Sequence, residues 1–353
     1  MTIATTEIAQ PPETTMPDFH DQLESLRDAY LDDIREIITL TVAAESPPES
    51  SLVEMCAYHL STGGKRLRAL LPLAVARTLG RDPRELIPFG AACELLHNAT
   101  LVHDDLQDGD TTRRGQEAAW VKYGEARAIN LGDAMLYWTV LLLRKLDASA
   151  AVRERMSTRL LRETVRVVDG QEREFLLKDT NAPLETDYFR MVEGKTSGLF
   201  ALPIAGAAEF CDADAELVEA LERAAGHLGV LFQIQDDVLD LYADKGREHR
   251  GTDICEGKIS ALVVHFLNNT PAEKAQWLRG ILDAPRDDVD LDQIDAVAAA
   301  FREHGSLDYA LTEIERRRAL ALDDPTFDDY PDVAALLRGI ADVFLRPIES
   351  VAG

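Results

Sequence analysis

The chain has 353 residues, of which 46% are hydrophobic, and a formal net charge of −26. The apolar content supports a substantial core in one large domain or two small ones, and the negative balance argues against nucleic acid or an anionic membrane as a bulk partner. No segment offers the ~18 uninterrupted apolar residues of a membrane span, and four scattered cysteines, Cys56, Cys93, Cys211 and Cys255, with no CxxC pair argue against disulfides and a zinc site and fit a cytoplasmic, reducing setting.

The first stretch, MTIATTEIAQPPETTMPDF, has neither a basic n-region nor an apolar h-region, so residues 1–18 read as a disordered tail and not as a secretory signal. Residues 19–44 space Leu23, Leu26, Tyr30, Ile34, Ile37, Ile38 and Val42 as an amphipathic helix on the outside of a bundle, ended by Pro47–Pro48. A second helix over Ser51–Leu60 is broken at Thr62–Gly63–Gly64. Lys65, Arg66 and Arg68 follow, then the apolar run Ala69–Leu79. Glycines opening a helix leave backbone N–H groups and a favourable dipole end for an anion. Lys65 and Arg68 add a mobile and a forked positive charge. The stretch is not a Walker A loop, because GxxxxGK[ST] is absent.

Asp82–Pro83 starts a helix that runs through Leu86 and Ala91 into LVHDDLQDGDTTRRG, residues 101–115. Asp104 and Asp108 stand four apart and share a face, with Asp105 about 100° round the axis. His97 lies two turns before Asp104 on the same face, and Arg113–Arg114 follow the cluster. Three carboxylates closing an apolar helix repel one another unless cations neutralise them. Carboxylate oxygens suit Mg2+, which is commonly held together with substrate phosphates.

Helices follow over Ala126–Leu146, carrying Asp133, Tyr137 and Trp138, and over Ala151–Leu177, carrying Gln171 and Glu172. Leu184–Leu199 holds Lys195–Thr196–Ser197–Gly198, which reads either as a diphosphate-binding tetrapeptide or as a kinked helix with small packing residues. The apolar run Ala201–Ala208 and a helix over Ala213–Asp240 lead to FQIQDDVLD, with Asp236, Asp237 and Asp240. The loop Ala243–Lys258 offers Lys245, Arg247, Arg250 and Lys258 to neutralise phosphate. Beyond Ser260 the signals are helical to a closing helix with Leu336, Leu337, Ile340, Val343 and Phe344. With no period-2 alternation and no internal repeat, the expected fold is an all-α single-domain bundle over residues 19–353 with a central cavity.

One acidic triplet among 63 Asp and Glu would pass for a solvated face. Two DDxxD runs, each closing an apolar helix and each followed by bases, point to one cavity with a metal- and diphosphate-binding rim over an apolar wall. That combination fits a substrate with a diphosphate head and a hydrocarbon tail, and bound metal ions make C–O cleavage feasible by spreading the charge of the leaving group. No Ser–His–Asp or Cys–His constellation indicates a protein nucleophile.

Together, GGKRLR, HDDLQD with RRG, KTSG, and FQIQDDVLD followed by GTDICEGK resemble the trans-isoprenyl diphosphate synthase (polyprenyl synthetase) family, in the family's order from about Ser51 to Ser260. The resemblance implies the isoprenoid synthase type of fold and head-to-tail (1′-4) condensation of isopentenyl diphosphate with an allylic diphosphate (dimethylallyl, geranyl or farnesyl). It implies roughly three Mg2+ ions, held with the diphosphate by Asp104, Asp108, Asp236 and Asp240 and supported by Asp105 and Asp237. Lys195, Thr196, Gln233 and Lys258 would hold the same diphosphate, with Arg113 beside it. Lys65, Arg68, His97 and Arg114 would bind isopentenyl diphosphate. Ionisation would give an allylic cation, attacked by the isopentenyl double bond, with the proton lost to the departing diphosphate. A homodimer is also implied.

The chain departs from the family in two places. GREHRGTD puts Arg247 nearest the place where the family often has a Lys, with Lys245 two residues before it, and Ile259–Ser260–Ala261 replaces a Thr–Pro pair. Thr100 and Ala99, the family's chain-length positions, are small. Leu96 and Cys93 lie deeper, and Tyr137 and Trp138 are bulky enough to close a tunnel. The expected product is C20, geranylgeranyl diphosphate, with C15 or C25 as neighbours. Two rivals make different demands. A class I terpene cyclase would carry an NSE-type motif in place of the second DDxxD and would lack GGKRxR. A non-catalytic partner subunit would have lost one acidic cluster.

Overall fold

A computed structural model describes residues 19–47, 49–243, 250–348 and 351. The expected tail 1–18 and the candidate bases Lys245 and Arg247 lie outside the described residues. Among the described residues sixteen α-helices follow in order. The first eight are α1 (Phe19–Ala44), α2 (Ser51–Ser61), α3 (Leu67–Thr78), α4 (Ile87–Gln107), α5 (Ala119–Tyr123), α6 (Glu125–Leu143), α7 (Ala150–Lys178) and α8 (Glu185–Val192). They are followed by α9 (Gly198–Phe210), α10 (Ala215–Tyr242), α11 (Thr252–Cys255), α12 (Ala261–Asn269), α13 (Ala272–Leu282), α14 (Leu291–Glu303), α15 (Ser306–Leu322) and α16 (Pro331–Leu345).

Among the described residues the only sheet is a two-residue hairpin, Thr112–Arg113 against Gln116–Glu117, which sequence patterning did not anticipate. It is made by a tight turn in which Arg114 (φ 54°) and Gly115 (φ 78°) are both left-handed.

The all-helical expectation holds because the apolar residues recur at helical spacing and the ends are capped. On α1 the buried residues Leu23, Leu26, Ile34, Ile38 and Val42 form one stripe. Ser50, Ser149 and Ser260 accept backbone N–H bonds at the starts of α2, α7 and α12, and Asp290 with Gln293 makes a capping box on α14. The bundle is organised around α9. All its residues but Glu209 are buried, as in a helix that is apolar on every side. It packs against α3, α4, α7 and α10. Phe200 on α9, Phe232 on α10 and Phe344 on α16 meet edge-on or tilted with centroids 5.1–5.3 Å apart. Each fully buried side chain of this size contributes about 1.5–3 kcal/mol over its exposed state. The core cluster continues from Phe19 to Ile348, so α1 and the end of α16 share one interior.

Candidate active site

The ends of α4 and α10 open on one cavity of about 200 Å³. Asp104 and Asp108 from α4 and Asp236 and Asp237 from α10 line it together with Asp110, Glu174 and Asp253. The lining bases are Arg68, Arg113, Lys195 and Lys258, and Leu101, Val167, Met191, Leu199, Phe232 and Ile259 form apolar wall. Burial raises the pKa of Asp104, and the neighbouring Asp108 and Glu174 add to the rise against the opposing pull of Lys195 and Lys258. Burial would also raise Asp108, but Lys258 and Lys195 outweigh it and hold that carboxyl below its ordinary value.

Lys258 is the cation at the centre of the rim. Its Nζ lies 2.9 Å from Asp108 Oδ2, 2.7 Å from Glu256 Oε2 and 3.7 Å from Asp253 Oδ1. Burial would lower its pKa, yet Asp253, Asp108 and Glu256 carry it well above the ordinary lysine value. Lys195 pairs with Glu174 across the cavity wall. It stands in a π-helical turn, Glu193–Ser197, set between α8 and α9. Such a wide turn re-aims side chains that a regular helix would leave on other faces. Here it brings Lys195 and Thr196 to the cavity, and Thr196 Oγ1 donates to Gln233 Oε1 at 2.9 Å. The turn depends on close approach to α7, because a Cβ at Gly170 would overlap the Lys195 backbone nitrogen.

The basic side is built differently. Arg68 projects from the first turn of α3 with its guanidinium 4.7 Å from the Phe200 ring centroid and 5.9 Å from that of Phe232. Burial lowers its pKa to about 10, still above neutrality. His97 lines the same region. Burial, then Arg68 and Arg114, hold its pKa well below the usual histidine range, so it is a neutral imidazole.

Residues 49–300 match the model of the family described as polyprenyl synthetase. Geranylgeranyl diphosphate synthase of Methanosarcina mazei is 32% identical over 296 residues, covering 82% of this chain and 87% of that protein. The chain belongs to the polyprenyl synthetase family.

It is therefore an enzyme of the trans-prenyltransferase class, acting on isoprenoid diphosphates. Farnesyl diphosphate synthase of Bacillus subtilis is 35% identical over 198 residues, 54% of this chain and 67% of that protein. The crystal structure of a polyprenyl synthetase from Streptomyces coelicolor A3(2) superposes with a TM-score of 0.82 at 26% identity, covering 93% of this chain and 99% of that one. No helix among the described residues of this polyprenyl synthetase is long and apolar enough to cross a membrane.

Not every residue singled out in the sequence stands where the motif suggested. Asp105 is fully buried and turned away from the cavity. It holds Arg113, whose Nε donates to its Oδ1 at 2.8 Å. Asp240, expected among the metal ligands, is not among the lining residues. Its carboxylate accepts from Thr252 Oγ1 at 2.8 Å and from the Asp253 amide at 3.1 Å, so it organises the loop after α10. Asp237 accepts from Tyr188 Oη at 2.7 Å, Gln233 Nε2 at 2.9 Å and the Ala261 amide at 3.0 Å, and burial raises its pKa to about 6. Lys65 is exposed and lines a neighbouring surface pocket with Arg27 and Arg346. Arg114 donates to the Gly63 carbonyl and lies against Gly64, whose φ of 121° and lack of a Cβ permit the contact. Arg250 pairs with Asp295.

Of the chain-length positions, only Thr100 lines the cavity. Ala99, Leu96, Cys93 and Trp138 are packed in the core along α4 and α6. Tyr137 is a correction: it is 73% exposed and closes no cavity in this chain. One residue of helical rotation separates it from buried Trp138, and adjacent positions do not share a face.

Several site residues carried no motif. Glu174 could have been found by spacing, since it stands three residues after Gln171 on the same buried face, whereas Glu172 is exposed. Tyr188 has no local signal, and Asp253 and Glu256 stand inside GTDICEGK without the motif saying what they hold. They matter only because α8 and the loop before α12 fold against α10.

Proposed function

We propose that this chain condenses isopentenyl diphosphate head-to-tail with an allylic diphosphate to give a trans-polyprenyl diphosphate of about C20 length, with C15 and C25 as neighbouring products. The single observation that supports it is the convergence of Asp104 and Asp108 from the first DDxxD run and Asp236 and Asp237 from the second, with Lys195, Thr196, Gln233 and Lys258, on one cavity with an apolar wall.

The donor set fits Mg2+. Seven lining carboxylates face four lining bases, an excess of negative charge that hard divalent cations neutralise. Among the described residues no three acidic or histidine groups converge tightly enough to hold an ion unaided. Mg2+ usually combines one or two carboxylates with substrate phosphate and water. Asp104, Asp108 and Asp236 would hold the ions, which when bound spread the negative charge of the departing diphosphate. Lys195, Thr196, Gln233 and Lys258 hold the allylic diphosphate, with Arg113 fixed beside them. Arg68 and His97 receive isopentenyl diphosphate, with Arg114 at the Gly63–Gly64 turn adding positive charge near His97, while Lys65 stays outside this cavity on the neighbouring surface pocket. The neutral imidazole of His97 orients that diphosphate by hydrogen bonding without adding charge. The apolar wall keeps water from the allylic cation while the isopentenyl double bond attacks, and the proton leaves with the diphosphate. All four cysteines are free thiols, in keeping with a cytoplasmic setting.

For product length, Thr100 is small where it lines the cavity and would leave a C15 tail unobstructed at its level, and the buried Ala99, Leu96, Cys93 and Trp138 along α4 and α6 would bound the tail. Mass spectrometry of products made from dimethylallyl, geranyl and farnesyl primers tests both statements. Condensation to C20 is the expected result, and Trp138→Ala is expected to shift products longer. Hydrocarbon release from geranyl diphosphate without isopentenyl diphosphate would instead identify a cyclase, and unchanged Trp138→Ala products would remove Trp138 as the floor.

A homodimer is proposed on α6 and α7. Ile129, Tyr137, Leu161, Val165, Val168 and Leu176 are exposed apolar residues on these two neighbouring helices, a concentration that marks an interaction surface. The expected solution mass is that of a dimer, and Val165→Glu with Val168→Glu is expected to give a folded monomer. A wild-type monomer by light scattering would refute the proposal.

A further inference from the structure

Arg286 belongs to no motif. It sits on a 3-10 turn, Arg286–Asp288, between α13 and α14. Its guanidinium reaches three acceptors. Nη1 donates to the Asp108 carbonyl at 3.0 Å and lies 3.3 Å from Glu256 Oε1, while Nη2 donates to Asp110 Oδ1 at 3.2 Å. The Glu256 side chain is 4% exposed, and its other oxygen is the one paired with Lys258. Asp110 also lies 3.8 Å from Arg113, which Asp105 holds. One side chain therefore ties the turn after the first DDxxD to the segment that carries Lys258, although the two are far apart in sequence.

We propose that Arg286 is a positioning residue for the reaction: by bridging Asp110 and the Asp108 carbonyl to Glu256, it sets the separation of Asp108 and Lys258 at the diphosphate end of the cavity. Without the guanidinium, Asp110 and Glu256 face each other as like charges, and their repulsion opens the rim at the point where Lys258 is anchored. A lysine cannot replace it fully, because one ammonium lacks the planar fork that satisfies three acceptors at once. The basic side, with Arg68 and His97, has no part in this bridge.

The inference rests on the allylic diphosphate and Mg2+ reading given above. The experiment compares Arg286→Gln and Arg286→Lys with the wild type in steady-state kinetics for each substrate. It also measures the melting shift produced by Mg2+ with inorganic diphosphate, a binding readout independent of turnover. Loss of a charge-assisted anchor is expected to raise the KM for the allylic diphosphate about tenfold in Arg286→Gln, with the KM for isopentenyl diphosphate changed less than about twofold. Arg286→Lys is expected to fall between, and the melting shift is expected to shrink in the same order. Equal changes in both KM values, or a lowered melting temperature with an undiminished ligand shift, would overturn the proposal. If the Gln variant does not fold, an Arg286→Lys protein with wild-type allylic KM and wild-type shift would overturn it equally. A wild type that shows the shift but no condensation would refute the functional reading instead, and the shift comparison still decides the role of Arg286.

Discussion

Asp104→Asn and Asp236→Asn are each expected to lower kcat/KM for the allylic diphosphate by about 10²–10³-fold, the size of effect seen when one preorganised group aimed at developing charge is removed. The substitutions keep shape and each removes one negative charge from the cavity lining, one on α4 and one on α10. They subtract from the carboxylate excess that attracts the cations and leave the lysines in place. Stability is expected to move the other way for Asp104. Burial raises its pKa, so folding disfavours its charged form, and the neutral amide relieves that penalty in the metal-free protein. An Asp104→Asn protein that melts no lower than the wild type, yet has lost nearly all turnover, would show a site that trades stability for charge. Chelation of divalent ions should reproduce the loss in the wild type and reverse on adding Mg2+. Turnover within about threefold of wild type in a folded Asp104→Asn protein would end the metal-ligand assignment.

Glu94→Ala is expected to cost about 3–5 kcal/mol of folding stability, the range found when one partner of a buried ion pair is removed. Glu94 on α4 accepts from Arg66 Nη1 at 2.8 Å and from Asn98 Nδ2 at 2.9 Å. The Arg66 and Glu94 side chains are 7% and 6% exposed, and Arg66 also donates to the Leu60 carbonyl at the end of α2. Truncating Glu94 leaves a guanidinium in the interior with a single carbonyl as its remaining described partner. Arg66 is itself left-handed (φ 54°) at the start of α3, so the pair fixes the turn that aims Arg68. Urea titration measures the loss. A Glu94→Leu, Arg66→Met double variant should recover most of it, because the penalty is an uncompensated charge and not a missing attraction. A single-variant loss below about 1 kcal/mol would show that Arg66 finds solvent or another partner.

Much of the site was legible before any coordinates, and the reasons are local. Helical periodicity needs only the order of residues, so α1 was bounded at Phe19 and Ala44 from sequence. The spacing of Asp104 and Asp108 puts both on one face whatever the helix packs against. The glycines of GGKRLR announce a turn because φ values of 91° and 121° at Gly63 and Gly64 are open to few other residues. The Lys195–Gly198 tetrapeptide reads either as a diphosphate site or as a kinked helix, and no propensity scale indicates that the turn there is π-helical.

What could not be read was how side chains from distant segments share one another. Motif membership alone does not show that Asp237, which lines the cavity beside Asp236, is already satisfied by Tyr188, Gln233 and the Ala261 amide. Nor does it show that Asp240 serves the loop at Thr252. Exposure of Tyr137 and burial of Trp138 depend on the exact rotation of α6 against α4, a phase that periodicity leaves uncertain by about one residue. The contacts of Arg286 with Glu256 and with the Asp108 carbonyl exist only because the chain after α13 folds back to the mouth of α4. Residue order therefore established an all-helical chain bearing two acidic clusters and the bases to match them. The packing of those helices assigned each charge its partner, because Coulomb energies depend on separation and burial, neither of which is written in the spacing along the chain.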